Sequence, residues 1–172
     1  YNGLNLKGKL LIAEDQSVRN RTVLITHGTL AHNEMEIVEA LQELLLESGL
    51  NSLAINLSRG IDNRHGSYDC ATPHTYRHTD AIEEIDAWVG WLKKEGVEHI
   101  IVMGHSRGGN QTAWYTTEYS DPVVKQVVLI APATWSESGA ANGYQKLYKT
   151  NLAVPLKQAE EMVFRGQGEE LM

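Results

Sequence analysis

Short runs of β-branched and aliphatic residues alternate with amphipathic helical stretches along most of this 172-residue chain. Strand patterns occur at residues 21–26, 51–57, 98–103 and 125–130, and the stretches between them place apolar residues at helical spacing. This alternation is typical of a parallel sheet covered by helices. We therefore predict an α/β fold, a mostly parallel twisted sheet with helices on both faces.

The two ends of the chain differ from this repeating pattern. Residues 4–13 alternate apolar and polar side chains, which predicts an edge strand or a hairpin arm. No strand pattern follows 125–130, so we expect the sheet to be truncated after its sixth strand. We divide the chain into the N-terminal part of an α/β core, residues 1–134, and residues 135–172, which we interpret as a helical lid or cap.

Composition excludes several classes of partner. The chain has 15 Lys and Arg against 22 Asp and Glu, a formal net charge of −7, whereas nucleic-acid binding needs clustered cations. No apolar run approaches the ~20 residues of a membrane span. Cys70 is the only cysteine, so no internal disulfide forms. We expect a soluble protein, cytoplasmic or exported after loss of a signal, that binds no nucleic acid and has no membrane span.

One short motif carries the chemistry. The segment Gly104-His105-Ser106-Arg107-Gly108 fits the G-x-S-x-G pattern, in which a sharp turn between a strand and a helix lifts a serine hydroxyl above the sheet edge. The motif directly follows the strand pattern at 98–103 and directly precedes a helical pattern, so its context fits this turn. Ser106 is therefore a candidate nucleophile, and the alternative is a glycine-rich turn with a solvated serine.

With the segment His27-Gly28-Thr29 after the strand at 21–26, residues 4–134 resemble the N-terminal part of an α/β-hydrolase-fold serine hydrolase. Ser58-Arg59-Gly60, followed by Gly66-Ser67, resembles that superfamily's loop after its fourth strand. The resemblance implies that Ser106 is the nucleophile and that the backbone amides of Thr29 and Arg107 form the oxyanion hole. It also implies hydrolysis of an ester, thioester or amide through an acyl-enzyme, on a small-molecule acyl substrate and without a cofactor.

The rest of the catalytic triad is not where the superfamily places it. Its order is Ser, then Asp or Glu, then His, but all seven histidines precede Ser106 and no Asp follows Asp121. We expect the acid and the base beyond residue 172, with the 172-residue chain alone inactive. A truncated sheet would leave an unpaired edge through which the chain is expected to self-associate. The alternative function is a non-catalytic binding or interaction scaffold of the same fold.

Two further alternatives lie in the polar stretch at residues 58–78. One of His65, His74 and His78 could act as a different base, or these histidines could bind zinc together with Cys70. The spacing matches no known type of zinc site, so we predict no metal.

The predicted lid sets our expectation for the substrate. Its apolar side chains favour a short or medium acyl ester over charged small substrates. They are Trp135, Tyr144, Tyr148, Leu152, Met162, Val163 and Phe164.

Overall fold

The computed structural model describes residues 1–69, 71–72, 76–133 and 136–170. These residues form two compact units, Tyr1–Ala133 and Thr134–Met172. The first unit contains five strands and three helices, and the second contains two helices. In chain order they are β1 (Lys7–Leu11), β2 (Thr22–Thr26), α1 (Glu36–Glu47), β3 (Asn51–Asn56), α2 (Asp80–Lys94), β4 (Ile100–His105), α3 (Arg107–Glu118), β5 (Val124–Ile130), α4 (Glu137–Tyr148) and α5 (Ala153–Phe164).

The five strands form one sheet in the order β1-β3-β2-β4-β5. β1 runs antiparallel to β3 at one edge, and all the other neighbours are parallel. The predicted α/β fold with a mostly parallel sheet is therefore confirmed, and residues 4–13 supply the predicted edge strand. The described sheet has five strands rather than six, because residues 4–13 contribute only Lys7–Leu11.

Helices cover both faces of the sheet. On one face, Leu24, Ile55 and Val102 pack with α2 and with Tyr115 of α3. On the other face, the alternate strand residues pack with Val38 of α1, and they are Val23, Ile25, Ala54, Ile101 and Met103. β2 is buried along its whole length because it lies at the centre of the sheet and is covered on both faces.

The register of the sheet brings three loops to one edge. Thr26 of β2 is paired with Ile55 of β3 and with Gly104 of β4, so the carboxyl ends of these strands lie at the same level. The segments that follow them, residues 27–29, 57–60 and 105–107, therefore leave the sheet side by side. Sites in open α/β folds form at this edge.

The second unit consists of α4 and α5. α4 begins after Ser136, whose hydroxyl accepts a hydrogen bond from Gly139 N at 3.1 Å. This N-cap helps a helix to form over the segment 136–143, whose small, polar residues are weak helix formers. α5 begins before Pro155, which is tolerated in a first turn because the amides there have no partner within the helix. None of the described helices is long and apolar enough to cross a membrane.

Candidate active site

Ser106 occupies a strained turn between β4 and α3. Its φ is 54° and its ψ is −121°, in a region that residues with a side chain rarely adopt. The main chain around it is fixed by three hydrogen bonds: Ser106 N donates to Ile130 O at 3.0 Å, and Ser106 O accepts from Gly109 N at 3.0 Å and from Ala133 N at 3.1 Å. The serine is thus fastened to the end of β5 as well as to its own helix.

Both glycines of the motif are required by close packing. A Cβ on Gly104 would overlap the carbonyl oxygen of Gly108, and a Cβ on Gly108 would overlap the carbonyl oxygens of Thr26 and His27. Gly28 is also close, since a Cβ there would lie 3.2 Å from the Cβ of Ser106. These contacts press the loop after β2 against the serine turn, as the sequence motif requires.

Two backbone amides beside Ser106 have no acceptor. Arg107 is the first residue of α3, so its N–H has no partner within the helix. Thr29 follows Gly28 in the loop that packs on Ser106. Among the described residues, neither Arg107 N nor Thr29 N donates a hydrogen bond. Both amides are therefore available as N–H donors, one in the serine turn and one in the loop that packs on it.

A small cavity of about 140 Å³ adjoins the serine. Its described lining contains no Lys, Arg, Asp or Glu, and α1 supplies part of the apolar wall. The lining residues are Gly28, Thr29, Ala31, Met35, Ile37, Val38, His105 and Ser106. The volume and lining suit a short, uncharged group attached to a carbonyl carbon at Ser106.

His27 holds the loop after β2 from inside the protein. Its imidazole is 1% exposed. Nδ1 lies 2.9 Å from Gly28 O, while Nε2 accepts from Leu57 N at 3.1 Å and lies 3.1 Å from Arg64 Nη2. This pattern assigns the proton of the neutral imidazole to Nδ1, which donates to Gly28 O. Burial lowers the pKa of His27 to about 4, so the ring is neutral at pH 7.

Arg64 joins this loop to the segment after β3. Its buried guanidinium donates to three carbonyl oxygens, namely Leu57 O at 2.5 Å, Gly66 O at 2.9 Å and Ala31 O at 3.0 Å, and also to Asn56 Oδ1. Burial lowers the pKa of Arg64 to about 10, so it remains cationic at pH 7. The Arg64 side chain thus connects the loop after β2 to the segment after β3.

Glu84 of α2 fixes the segment after β3 at a second point. The carboxylate is buried and accepts from Ser58 N at 2.8 Å and from the Ser58 hydroxyl. Burial raises its pKa above the usual value for a glutamate. Arg59, the residue after Ser58, has φ at +55°.

No general base is joined to Ser106 in the part of the chain that the structure describes. His65 is exposed and makes no hydrogen bond there. His78 lies beside α3, with Nδ1 3.5 Å from Gln111 Nε2 and its ring 5.9 Å from that of Trp114, but it is not hydrogen-bonded to Ser106. His74 and Cys70 lie outside the described residues, and among the described ones no three potential ligands could hold a metal ion.

Sequence reasoning missed the two residues that brace this edge. Arg64 lies in a long polar stretch where nothing distinguishes it from a solvated arginine. Glu84 lies between Ile82 and Ile85 in a helix with an apolar stripe. A charged residue in such a helix is ordinarily predicted to face solvent. A signal for Glu84 exists, because a helix with buried Ala81, Ile82 and Ile85 has little room to expose residue 84.

The fold and the site together define an α/β protein with a serine at a strained turn after a central parallel strand. The family model described as the alpha/beta hydrolase fold matches residues 21–165. The chain therefore belongs to the α/β-hydrolase fold family, as the sequence motifs predict.

Several solved structures share this fold at low sequence identity. Est1E from Butyrivibrio proteoclasticus, with ferulic acid bound, is 24% identical with a TM-score of 0.64, over 76% of this chain and 50% of its own. The α/β hydrolase GrgF from Penicillium sp. sh18 is 21% identical with a TM-score of 0.64, over 91% and 52%. The monoacylglycerol lipase of Paleococcus ferrophilus is 23% identical with a TM-score of 0.55, over 83% and 51%.

The chain thus spans about half the length of these proteins. Comparison with curated proteins gives no match.

Proposed function

We propose that this chain carries the nucleophile and oxyanion hole of a serine hydrolase that cleaves an ester, thioester or amide. The observation that carries the proposal is the backbone of Ser106, with φ at 54° between β4 and α3. Strain of this kind costs on the order of 1–3 kcal/mol and persists where the surroundings enforce it. A turn that merely connects a strand to a helix needs no such residue.

In the proposed reaction, the Ser106 hydroxyl oxygen attacks the carbonyl carbon of the substrate and gives up its proton to a general base. The carbonyl oxygen becomes an oxyanion and accepts hydrogen bonds from the amides of Thr29 and Arg107. Its collapse expels the alcohol, thiol or amine, which takes up the proton, and leaves an acyl group on Ser106. Water then releases the acyl group as a carboxylic acid by the same steps.

The base and the acid that orients it are proposed to lie beyond residue 172. This placement is supported by the absence of a histidine hydrogen-bonded to Ser106 among the described residues, and by the superfamily order of Ser, acid and His. His27 is unsuited to the role, because both its ring nitrogens are engaged inside the protein.

The substrate class is proposed from the cavity beside Ser106. A volume of about 140 Å³ without charged side chains favours a short acyl group. The monoacylglycerol lipase among the solved structures of the same fold supports an ester as the first substrate to test. We further propose that residues 135–172 act as a lid, since α4 and α5 expose many apolar side chains, including Leu147, Val163 and Phe164.

The test is labelling of the full-length protein with an uncharged fluorophosphonate, which reacts with an activated serine. Ser106 should be labelled and the Ser106→Ala variant should not, whereas Ser138→Ala, at an exposed serine of α4, should label like the parent. Equal labelling of the parent and Ser106→Ala would exclude Ser106 as the nucleophile. No labelling of a folded full-length protein would favour the second candidate, a non-catalytic scaffold, which the lack of a described base motivates.

A further inference from the structure

Arg59 is a buried guanidinium without an acidic partner. The residue is 7% exposed, and its Nε is enclosed with no hydrogen-bond acceptor. Its Cζ instead lies 5.7 Å from the centroid of the Tyr68 ring and 5.9 Å from that of Tyr76. In the described part of the chain, no ion pair or hydrogen bond engages this guanidinium. Buried charges are normally paired or fully hydrogen-bonded, so Arg59 lacks something that an anion would supply.

Tyr76 shows the same deficiency beside Arg59. Its hydroxyl is also enclosed and without a hydrogen-bond partner. Burial raises the pKa of Tyr76, so the hydroxyl remains protonated and is a donor. The two Nη nitrogens of Arg59, unlike its Nε, are not among the enclosed atoms. The guanidinium can therefore be reached at its tip, while aromatic rings hold the rest of it.

Arg59 lies at the same edge of the sheet as Ser106. Ile55 and Gly104 are both paired with Thr26, and Arg59 and Ser106 follow them by four and two residues. The charge of Arg107, directly after Ser106, adds to burial in lowering the pKa of Arg59. Burial, Arg107 and Arg59 together lower the pKa of His78. The charges of Arg59 and Arg107 thus both act on His78, at the sheet edge where Ser106 lies.

Glu84 does not form an ion pair with Arg59. The charge of Glu84 acts on the Arg59 pKa, but both oxygens of this carboxylate are engaged by Ser58. Arg107 is exposed, and it too forms no ion pair among the described residues. Two unpaired guanidiniums therefore follow β3 and β4 at the same edge of the sheet, in a chain whose net charge is −7.

We propose that Arg59 and Arg107 bind a carboxylate on the leaving-group portion of the substrate. The proposal rests on the proposed function of Ser106 and narrows its substrate class. The uncharged cavity lies on the α1 side of the sheet edge, whereas Arg59 lies beside Tyr76 and close to Glu84 of α2, on the opposite side. The acyl group and the acid group are thus assigned to different sides, and the preferred substrate is a short acyl ester of an acid-bearing alcohol or phenol.

The acyl group agrees with the sequence-based expectation of a short or medium acyl ester. The carboxylate on the leaving group does not, because that expectation disfavoured charged substrates. A guanidinium suits a carboxylate because its planar donors can match both oxygens. The neighbouring tyrosine rings suit a flat, apolar body attached to that carboxylate. We therefore expect phenolic acids to be better leaving groups than their neutral esters.

The first experiment measures kcat/KM of the full-length protein for 4-acetoxybenzoate and for methyl 4-acetoxybenzoate. Both are acetate esters, and only the first carries a carboxylate. Arg59→Gln should lower the ratio of the two values at least tenfold, as expected for loss of a charged hydrogen bond, and Arg107→Gln should lower it severalfold. Arg21→Gln removes an exposed arginine at the opposite edge of the sheet and should leave the ratio unchanged. Because intrinsic ester reactivity is common to all variants, it cancels.

The second experiment removes the chemistry and measures binding alone. In the Ser106→Ala background, 4-hydroxybenzoate should bind more tightly than methyl 4-hydroxybenzoate, and Arg59→Gln should abolish the difference. If Arg59→Gln does not fold, the same two ligands are compared in the Arg107→Gln variant, whose changed side chain is exposed.

The outcomes separate the two proposals. Selective binding of 4-hydroxybenzoate without fluorophosphonate labelling would refute the nucleophile and keep the carboxylate subsite. Labelling together with an unchanged ester ratio in both arginine variants would overturn the subsite alone. Binding of phenyl phosphate more tightly than 4-hydroxybenzoate would show a phosphate site instead. A purely structural Arg59 would lower thermal stability without changing either ratio.

Discussion

His27 and Arg64 lie side by side in the protein interior, with Nε2 of the imidazole 3.1 Å from Nη2 of the guanidinium. The contact requires a neutral imidazole, because a second cation there would be repelled and Nε2 would lose its lone pair. Through it, the loop that presents the Thr29 amide is fixed to the segment after β3. The proposed oxyanion hole therefore depends on residues that never contact substrate.

Replacing Arg64 should weaken both stability and labelling. Arg64→Gln leaves the carbonyl oxygens of Leu57 and Ala31 without their donor, which should lower the free energy of unfolding by about 3 kcal/mol. Urea denaturation measures the loss, with Arg21→Gln as the control at an exposed arginine. Under conditions where the variant is folded, labelling of Ser106 should also slow. Unchanged labelling would mean that the loop holds its position without Arg64.

The buried imidazole of His27 should make the protein sensitive to acid. Its pKa is about 4 in the folded chain against a reference value of 6.5, so between these pH values the unfolded chain binds a proton that the folded chain does not. The free energy of unfolding should therefore be full above pH 6.5 and fall by about 3 kcal/mol as the pH drops to 4. Chemical denaturation across this range measures the slope. His27→Gln cannot titrate and should flatten it, even though the variant is less stable at pH 7.

Replacing a glycine of the serine turn by alanine should lower stability, whereas the same change at an unhindered helix glycine should raise it. Gly108→Ala, inside α3, drives a Cβ into two carbonyl oxygens and should cost several kcal/mol of stability. Gly90→Ala, inside α2, meets no atom within 4 Å and should stabilise by up to about 1 kcal/mol. Thermal melts of the two variants give the comparison. A stabilising Gly108→Ala would contradict the packing of the turn.

Strand β5 should cause self-association of the 172-residue chain. It pairs only with β4 in the described sheet, and Val127, Val128 and Leu129 are each at least 36% exposed. An exposed apolar edge strand is a template for pairing with another chain. Sedimentation should show mass rising with concentration, and Val127→Lys should reduce it while Val154→Lys, on exposed α5, should not. A monomer at every concentration would count against this edge as an interface.

The apolar side chains of α4 and α5 should set the preference for acyl chain length if residues 135–172 act as a lid. Changing Leu147, Val163 and Phe164 to serine should shift the order of kcat/KM across a series of p-nitrophenyl esters, because an apolar cover would no longer exclude water from longer chains. The full-length protein is the material for this series. An unchanged order would remove the lid from the control of specificity.

The sequence predicts the fold well because each strand and helix shows its own periodicity of apolar residues over a few positions. The strands at 21–26 and 51–57 are recovered within a residue or two, since burial on both faces of the sheet leaves aliphatic runs in the sequence. Within the helical segment predicted at residues 135–172, the pattern is weakest over α4, because Gly139 and Gly143 interrupt it, and the cap at Ser136 compensates.

The residues of the candidate site fall into two groups, those that a local motif predicts and those that depend on packing across the sheet edge. A five-residue motif predicts Ser106 as the candidate nucleophile, and a glycine after a strand predicts the loop of Thr29, because both depend on local backbone geometry. Arg64, Glu84 and the isolation of Arg59 depend on which residues lie across the sheet edge, and sequence patterns of single segments do not encode that. Polar residues in a long loop give no periodic signal, whether they are buried or solvated.

The hydrogen bonds of Ser106 also bear on how such a scaffold diversifies. Ile130 O and Ala133 N complete the main-chain hydrogen bonds of the serine turn, and among the described residues these bonds use none after residue 133. An insertion that begins after residue 133 would therefore leave these bonds in place. We expect the backbone of the candidate nucleophile to tolerate wide variation in the segment that follows.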